Sequence, residues 1–130
     1  MNYTDQVIDH FQQPRNFGTL PDADGIGEVG NPVCGDVMKL YLKINKNKKG
    51  EEIIQDIKFE TFGCAAAIAT SSVITEMALG KPLSEVIKIS NQQVADSLGG
   101  LPDIKLHCSV LAADALGKAI QDYQAKKLKQ

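Results

Sequence analysis

The chain has 130 residues, is 43% hydrophobic and 23% charged, and carries a formal net charge of −2. Such a size and balance suit one globular domain, spanning residues 1–130, with a core of its own. The near-neutral charge lacks the basic excess that marks nucleic-acid binders. Met1-Asn2-Tyr3-Thr4-Asp5 offers neither a basic nor an apolar signal region, and no apolar run reaches membrane-spanning length. The expectation is a cytoplasmic protein with no nucleic-acid or membrane partner. Three widely spaced cysteines do not make a disulfide framework, and in a reducing compartment such cysteines are more often ligands or catalysts.

In chain order, residues 3–13 carry Val7, Ile8 and Phe11 at helical spacing, with Asn2 or Thr4 as cap and Pro14 beyond the end. His10 reads as an ordinary helix residue. Pro14-Arg15-Asn16-Phe17-Gly18 is turn chemistry. The Gly- and Pro-rich stretch 18–32 reads as loop, with an irregular edge strand at 26–29. Residues 37–44 alternate, with Met38, Leu40, Leu42 and Ile44 on one face. Residues 53–62 form the partner strand of an antiparallel hairpin, with Ile53, Ile57 and Phe59 inward.

Gly63 ends that strand, and an alanine-rich helix spans 64–79, closed by Gly80. Shorter helical segments cover 83–89, capped by Ser84, and 92–98, capped by Ser90 or Asn91. A long last helix covers 104–125, with Leu106, Val110, Ala113, Leu116, Ala119, Ile120 and Tyr123 as its apolar stripe and a frayed tail at 126–130. The expected class is α+β: a small antiparallel sheet of about three strands with helices packed on it.

Five residues could carry chemistry: Cys34, Asp36, Cys64, His107 and Cys108. Each lies where a loop meets a regular element. Were the backbone extended through Cys34-Gly35-Asp36, the thiol and the carboxylate would share one side. A helix N-terminus favours the thiolate, strongly for Cys64 and more weakly for Cys108. Three thiolates plus one imidazole or carboxylate make four donors, a set for tetrahedral zinc or for a [2Fe–2S] cluster. No CxxC pair is present, so spacing alone leaves open that each cysteine is a buried small hydrophobe, and that Asp36 is a solvated turn carboxylate.

Longer segments carry more. Val7-Ile8-Asp9-His10-Phe11 with Pro14-Arg15-Asn16-Phe17-Gly18, then Gly30-Asn31-Pro32-Val33-Cys34-Gly35-Asp36, then Phe62-Gly63-Cys64, then Lys105-Leu106-His107-Cys108-Ser109 follow in order. With these the chain resembles the IscU/NifU-type scaffold proteins of iron–sulfur cluster assembly, over nearly its whole length. The resemblance implies a SufE/NifU-like fold. It implies a scaffold, not an enzyme, that accepts persulfide sulfur from a cysteine desulfurase, binds ferrous iron, builds a transient [2Fe–2S] cluster and passes it to apo iron–sulfur acceptor proteins. Cys34, Cys64 and Cys108 would be thiolate ligands, Asp36 and His107 would compete for the fourth position or serve different stages, and Cys108 would accept sulfur first. Lys105 would assist electrostatically.

The resemblance further implies frataxin-like, ferredoxin and DnaK-type chaperone partners, and a monomer or cluster-bridged dimer. A zinc-dependent sulfur acceptor of the SufU type, with zinc in the isolated protein, is the alternative. Two departures stand out. The family's chaperone-binding Leu-Pro-Pro-Val-Lys reads Leu101-Pro102-Asp103-Ile104-Lys105 here, so Asp103 replaces a proline that would hold the peptide extended. Ala65-Ala66 replaces the Gly-Ser that many relatives carry after the middle cysteine, which stiffens the helix start.

Overall fold

The computed structural model describes residues 3–30 and 35–128. Helix α1 (Asp5–Gln12) leads into three antiparallel strands, β1 (Gly25–Gly30), β2 (Val37–Lys46) and β3 (Glu52–Phe62), in the spatial order β1-β2-β3. Helices α2 (Ala65–Ala78), α3 (Leu83–Val86), α4 (Asn91–Ser97) and α5 (Leu106–Leu128) follow, with a 3-10 turn, Asp103–Lys105, leading into the last. The α+β class and the three-stranded sheet match the expectation. Helix α2 lies on β3 and helix α5 on β1 and β2, while α1 packs on α2 and α4 on α5.

The core lies between the sheet and these helices. Met38, Leu40 and Leu42 of β2 alternate inward, as expected from period-two patterning, together with Ile57 and Phe59 of β3. Each such side chain contributes roughly 1.5–3 kcal/mol by leaving water. In β3, Ile54 rather than Ile53 is the fully buried residue. Lys43 pairs with Asp56 but Ile44 with Ile54, so Gln55 is an extra residue; this bulge reverses the facing of everything before it.

The glycine-rich stretch is more ordered than its composition suggests. Gly25–Gly30 is a regular strand, fully paired with β2. Its glycines serve close approach. A Cβ on Gly27 would stand 2.1 Å from the Ala115 carbonyl oxygen, and one on Gly25 would stand 2.3 Å from that of Ala119. Strand and helix thus meet backbone to backbone. The apolar stripe of α5 follows from this contact: Cys108, Leu111, Ala112, Ala115, Leu116, Ala119 and Ile120 are buried, whereas Leu106 and Val110 are exposed. Ala113 is only part-buried and Tyr123 packs at the margin of the core, so the stripe is offset from the expected one.

Helix ends follow local chemistry. The Thr4 hydroxyl accepts from Val7 N–H at 3.2 Å and donates to the Leu98 carbonyl, joining α1 to the end of α4. Ser90 and Gln93 form a reciprocal capping box on α4. Helix α3 is shorter than expected and begins after Pro82, with no side-chain cap from Ser84.

His10 is not an ordinary helix residue. It is buried, with Nδ1 2.7 Å from Ser72 Oγ and Nε2 3.2 Å from the Glu76 carboxylate. Arg15 N–H donates to the same Ser72 oxygen at 2.9 Å, which leaves the serine proton for His10 Nδ1. Neutral imidazole suits this arrangement. Burial and then the Arg15 guanidinium hold His10 below its ordinary 6.5, against the opposing pull of Glu76 and Asp9. With a depressed folded value, the unfolded chain takes up the proton first as pH falls. The His10 contribution is therefore complete above 6.5 and is lost as pH falls through the folded value. The urea midpoint should fall between pH 7 and pH 5, roughly the range in which histidine titrates, and His10→Asn should flatten that slope. An unchanged slope in the variant would contradict the assignment.

Candidate metal centre

Three element ends converge at one edge of the domain. Asp36 directly precedes β2, Cys64 is the N-cap of α2, and His107 and Cys108 lie in the first turn of α5. Cys34 lies outside the described residues. Gly35 has φ +75°, a left-handed conformation, so the backbone into Asp36 is not extended and the same-side argument from strand geometry does not apply.

Asp36 is 5% exposed, which overturns the reading of a solvated turn carboxylate. Its Oδ2 lies 3.5 Å from His107 Nε2 and 3.6 Å from Cys108 Sγ, and Cys108 Sγ lies 3.5 Å from the same His107 nitrogen. A tetrahedral ion bound at roughly 2.0–2.1 Å to nitrogen and oxygen and roughly 2.3 Å to sulfur sets its donors about 3.3–3.6 Å apart. The three atoms therefore have the dimensions of one face of such a tetrahedron.

Cys64 stands beside this face. It packs with Tyr3 and Leu101 against the small apolar cluster of Ala66, Ala67 and Cys108. Burial, then the negative charges of Cys64 and Asp36, push the Cys108 thiol well up. These effects outweigh the helix-terminus lowering expected from sequence. A buried carboxylate and a buried thiol beside a part-exposed imidazole and a second thiol suit a cation, which neutralises the carboxylate and favours loss of the thiol protons. Cys64 raises Lys105 more than burial lowers it, so that ammonium and the Cys64 sulfur are neighbours. Burial and then Cys64 raise the Tyr3 phenol.

The five residues singled out from sequence thus divide. Asp36, His107 and Cys108 form a cluster, Cys64 adjoins it, and Cys34 is outside the described part. Sequence reading missed two neighbours. Tyr3 had no signal beyond an aromatic ahead of a helix. Gly63 had one, since a glycine directly before a ligand cysteine can mark space needed by something else. The segment Leu101-Pro102-Asp103-Ile104-Lys105 is not extended from Asp103 onward: Pro102 precedes the 3-10 turn, and Lys105 N–H donates to the Pro102 carbonyl at 2.8 Å. Among the described residues, no helix is long and apolar enough to cross a membrane.

Comparison with known proteins places the chain in a family. The model of the NifU-like N terminal domain matches residues 2–130. The iron-sulfur cluster assembly scaffold protein IscU 1 of Archaeoglobus fulgidus is 61% identical over 124 residues, covering 95% of this chain and 78% of that protein. IscU of Escherichia coli K12 is 48% identical over 130 residues, covering 98% of each. Among solved structures, the N-terminal part of a nitrogen-fixing NifU-like protein from Brucella abortus superposes with a TM-score of 0.71 at 18% identity, over 94% of both chains, which speaks for the fold. With residues 2–130 matched and relatives at 48% and 61% identity covered over 98% and 78% of their own length, the chain belongs to the NifU-like N terminal domain family.

Proposed function

We propose that the protein is a scaffold for iron–sulfur cluster assembly, working as one domain over residues 1–130. The observation that carries this is the triangle of Asp36, His107 and Cys108 at metal-ligand spacing, with Cys64 beside it. Relatives named as scaffold proteins support it. The cargo is ferrous iron and sulfide, which leave as a [2Fe–2S] cluster. The protein holds and releases this cargo and is not an enzyme.

Cys108, Cys64 and Cys34 supply thiolates, and Cys108 accepts sulfane sulfur first from a cysteine desulfurase, becoming a persulfide while the desulfurase's own persulfide reverts to a thiol. Reducing each such sulfur to sulfide takes two electrons, one from a ferrous ion and one from a ferredoxin-type or thiol reductant. Asp36 and His107 complete the set. Thiolates suit iron–sulfur chemistry, whereas a carboxylate is a hard ligand and holds a soft cluster less firmly. Asp36 is the ligand that gives way when the cluster passes to an apo acceptor protein. Lys105 steadies the Cys64 thiolate. Phe62, Ile104 and Leu106 are exposed apolar residues close in sequence to the site and offer apolar surface to a docking desulfurase or acceptor. Frataxin-like and ferredoxin partners, a cytoplasmic setting and either a monomer or a cluster-bridged dimer belong to the same reading. The zinc-dependent sulfur acceptor is less favoured, because the relatives carry the scaffold name. The helical turn over Asp103–Lys105 weighs against docking of a DnaK-type chaperone on this segment unless it unwinds.

The test adds ferrous iron, cysteine, a cysteine desulfurase and a thiol reductant to the anaerobic protein. The expected result is the visible spectrum of a [2Fe–2S] cluster, acid-labile sulfide equal to bound iron, and transfer to apo-ferredoxin. Failure to form any cluster would overturn the scaffold reading.

A further inference from the structure

Gly63 stands directly before Cys64, yet nothing in its backbone demands glycine, since it is absent from the residues with positive φ. Space is what demands it. A Cβ at this position would lie 2.7 Å from Asp36 Oδ1, 3.0 Å from Asp36 Cγ and 2.8 Å from Ala67 Cβ. Real Cβ atoms do not approach other atoms so closely, so something must move. Ala67 is fixed in the first turn of a buried helix. The Asp36 carboxylate ends a side chain that can rotate. It is also the group responsible for two of the three close contacts.

We propose that Gly63 is a positioning residue for the metal centre: its missing side chain is the space that holds the Asp36 carboxylate against His107 and Cys108. Any larger residue at 63 turns that carboxylate away and removes the hard ligand while leaving Asp36 in the sequence. Gly63 thereby decides whether the site has a carboxylate donor at all. The inference rests on the scaffold reading only for what the carboxylate binds; the packing claim concerns the metal-free protein.

The test compares the full chain with Gly63→Ala, Asp36→Ala, the double variant of these, and Gly63→Ala combined with Ala67→Gly. Zinc affinity is measured by chelator competition, and the ring nitrogens of His107 are followed by NMR without metal. Gly63→Ala and Asp36→Ala should each weaken zinc about tenfold, the low end of what loss of a supporting group costs a metal site. The double variant should fall no further than either single one, and Ala67→Gly should not restore the loss. Without metal, both single variants should shift the His107 ring signals alike, because both take a carboxylate away from Nε2.

Wild-type affinity and wild-type His107 signals in Gly63→Ala would overturn the proposal. So would multiplied losses in the double variant, or full recovery with Ala67→Gly, which would trace the effect to helix packing instead. If the wild type binds no zinc, the metal reading fails, and the His107 signals alone decide the packing claim in the same two directions. If Gly63→Ala does not fold, the double variant, in which Asp36→Ala empties the space, should; its failure to fold would count equally against the proposal.

Discussion

Asp36→Ala should slow transfer of a preformed cluster to apo-ferredoxin by about tenfold, equivalent to about 1.4 kcal/mol on the barrier. The carboxylate lies within 3.6 Å of both His107 Nε2 and Cys108 Sγ, so its removal leaves the imidazole as the remaining candidate for the fourth position. Nitrogen suits iron in a thiolate environment better than a carboxylate does. The cluster in the variant should therefore persist longer on the scaffold. Transfer can be followed by visible circular dichroism, in which donor and acceptor clusters differ. Equal or faster transfer from the variant would remove Asp36 from the release step. The same substitution weakens zinc, for which a carboxylate oxygen is an ordinary ligand, and prolongs the cluster, for which it is a hard and weak one.

Gly27→Ala should destabilise the fold by about 3 kcal/mol, the upper end of overpacking costs. For a domain of this size that lowers the melting temperature by roughly 10 °C. The added carbon would lie 2.1 Å from the Ala115 carbonyl oxygen and 2.4 Å from the Ala119 nitrogen. Both are main-chain atoms of a helix and cannot swing aside. Gly30→Ala in the same strand is the control. Its Cβ would meet nothing closer than 3.6 Å, and the position is exposed, so its midpoint should stay within about 0.5 kcal/mol of the wild type. Thermal melts of both variants test the pair. Equal behaviour of the two would show that β1 does not lie on α5 as described.

These two cases indicate what can be read from residues and what cannot. The β2–β3 hairpin was legible because Met38, Leu40 and Leu42 alternate with polar residues. Helix α2 was legible from its alanines, and Cys64 at its cap from the strand-to-helix handover. The grouping of Asp36, His107 and Cys108 came from the order of whole segments, not from spacing. What escaped depends on relations between distant residues. The bulge at Gln55, which swaps Ile53 for Ile54 inside, is a property of pairing with β2. The glycines of β1 read as loop because glycine weakens strands in general. Only the proximity of α5 explains them. The same contact shifts the buried face of α5 toward its alanines, which counting large apolar residues undervalues. Burial of His10 depends on Ser72, far along the chain.

The bare contact of β1 with α5 has a consequence for the metal centre. The sheet brings Asp36 and the helix brings Cys108, so the gap between those two elements sets the spacing of the donors. On the β1 side that gap is set by main-chain atoms close to main-chain atoms. On the β2 side large side chains of α5 and of the strand share one core and also set it. At Gly25 and Gly27 the strand has no side chain between itself and the helix to absorb a change. A substitution there would be felt at the donors as well as in the stability of the fold.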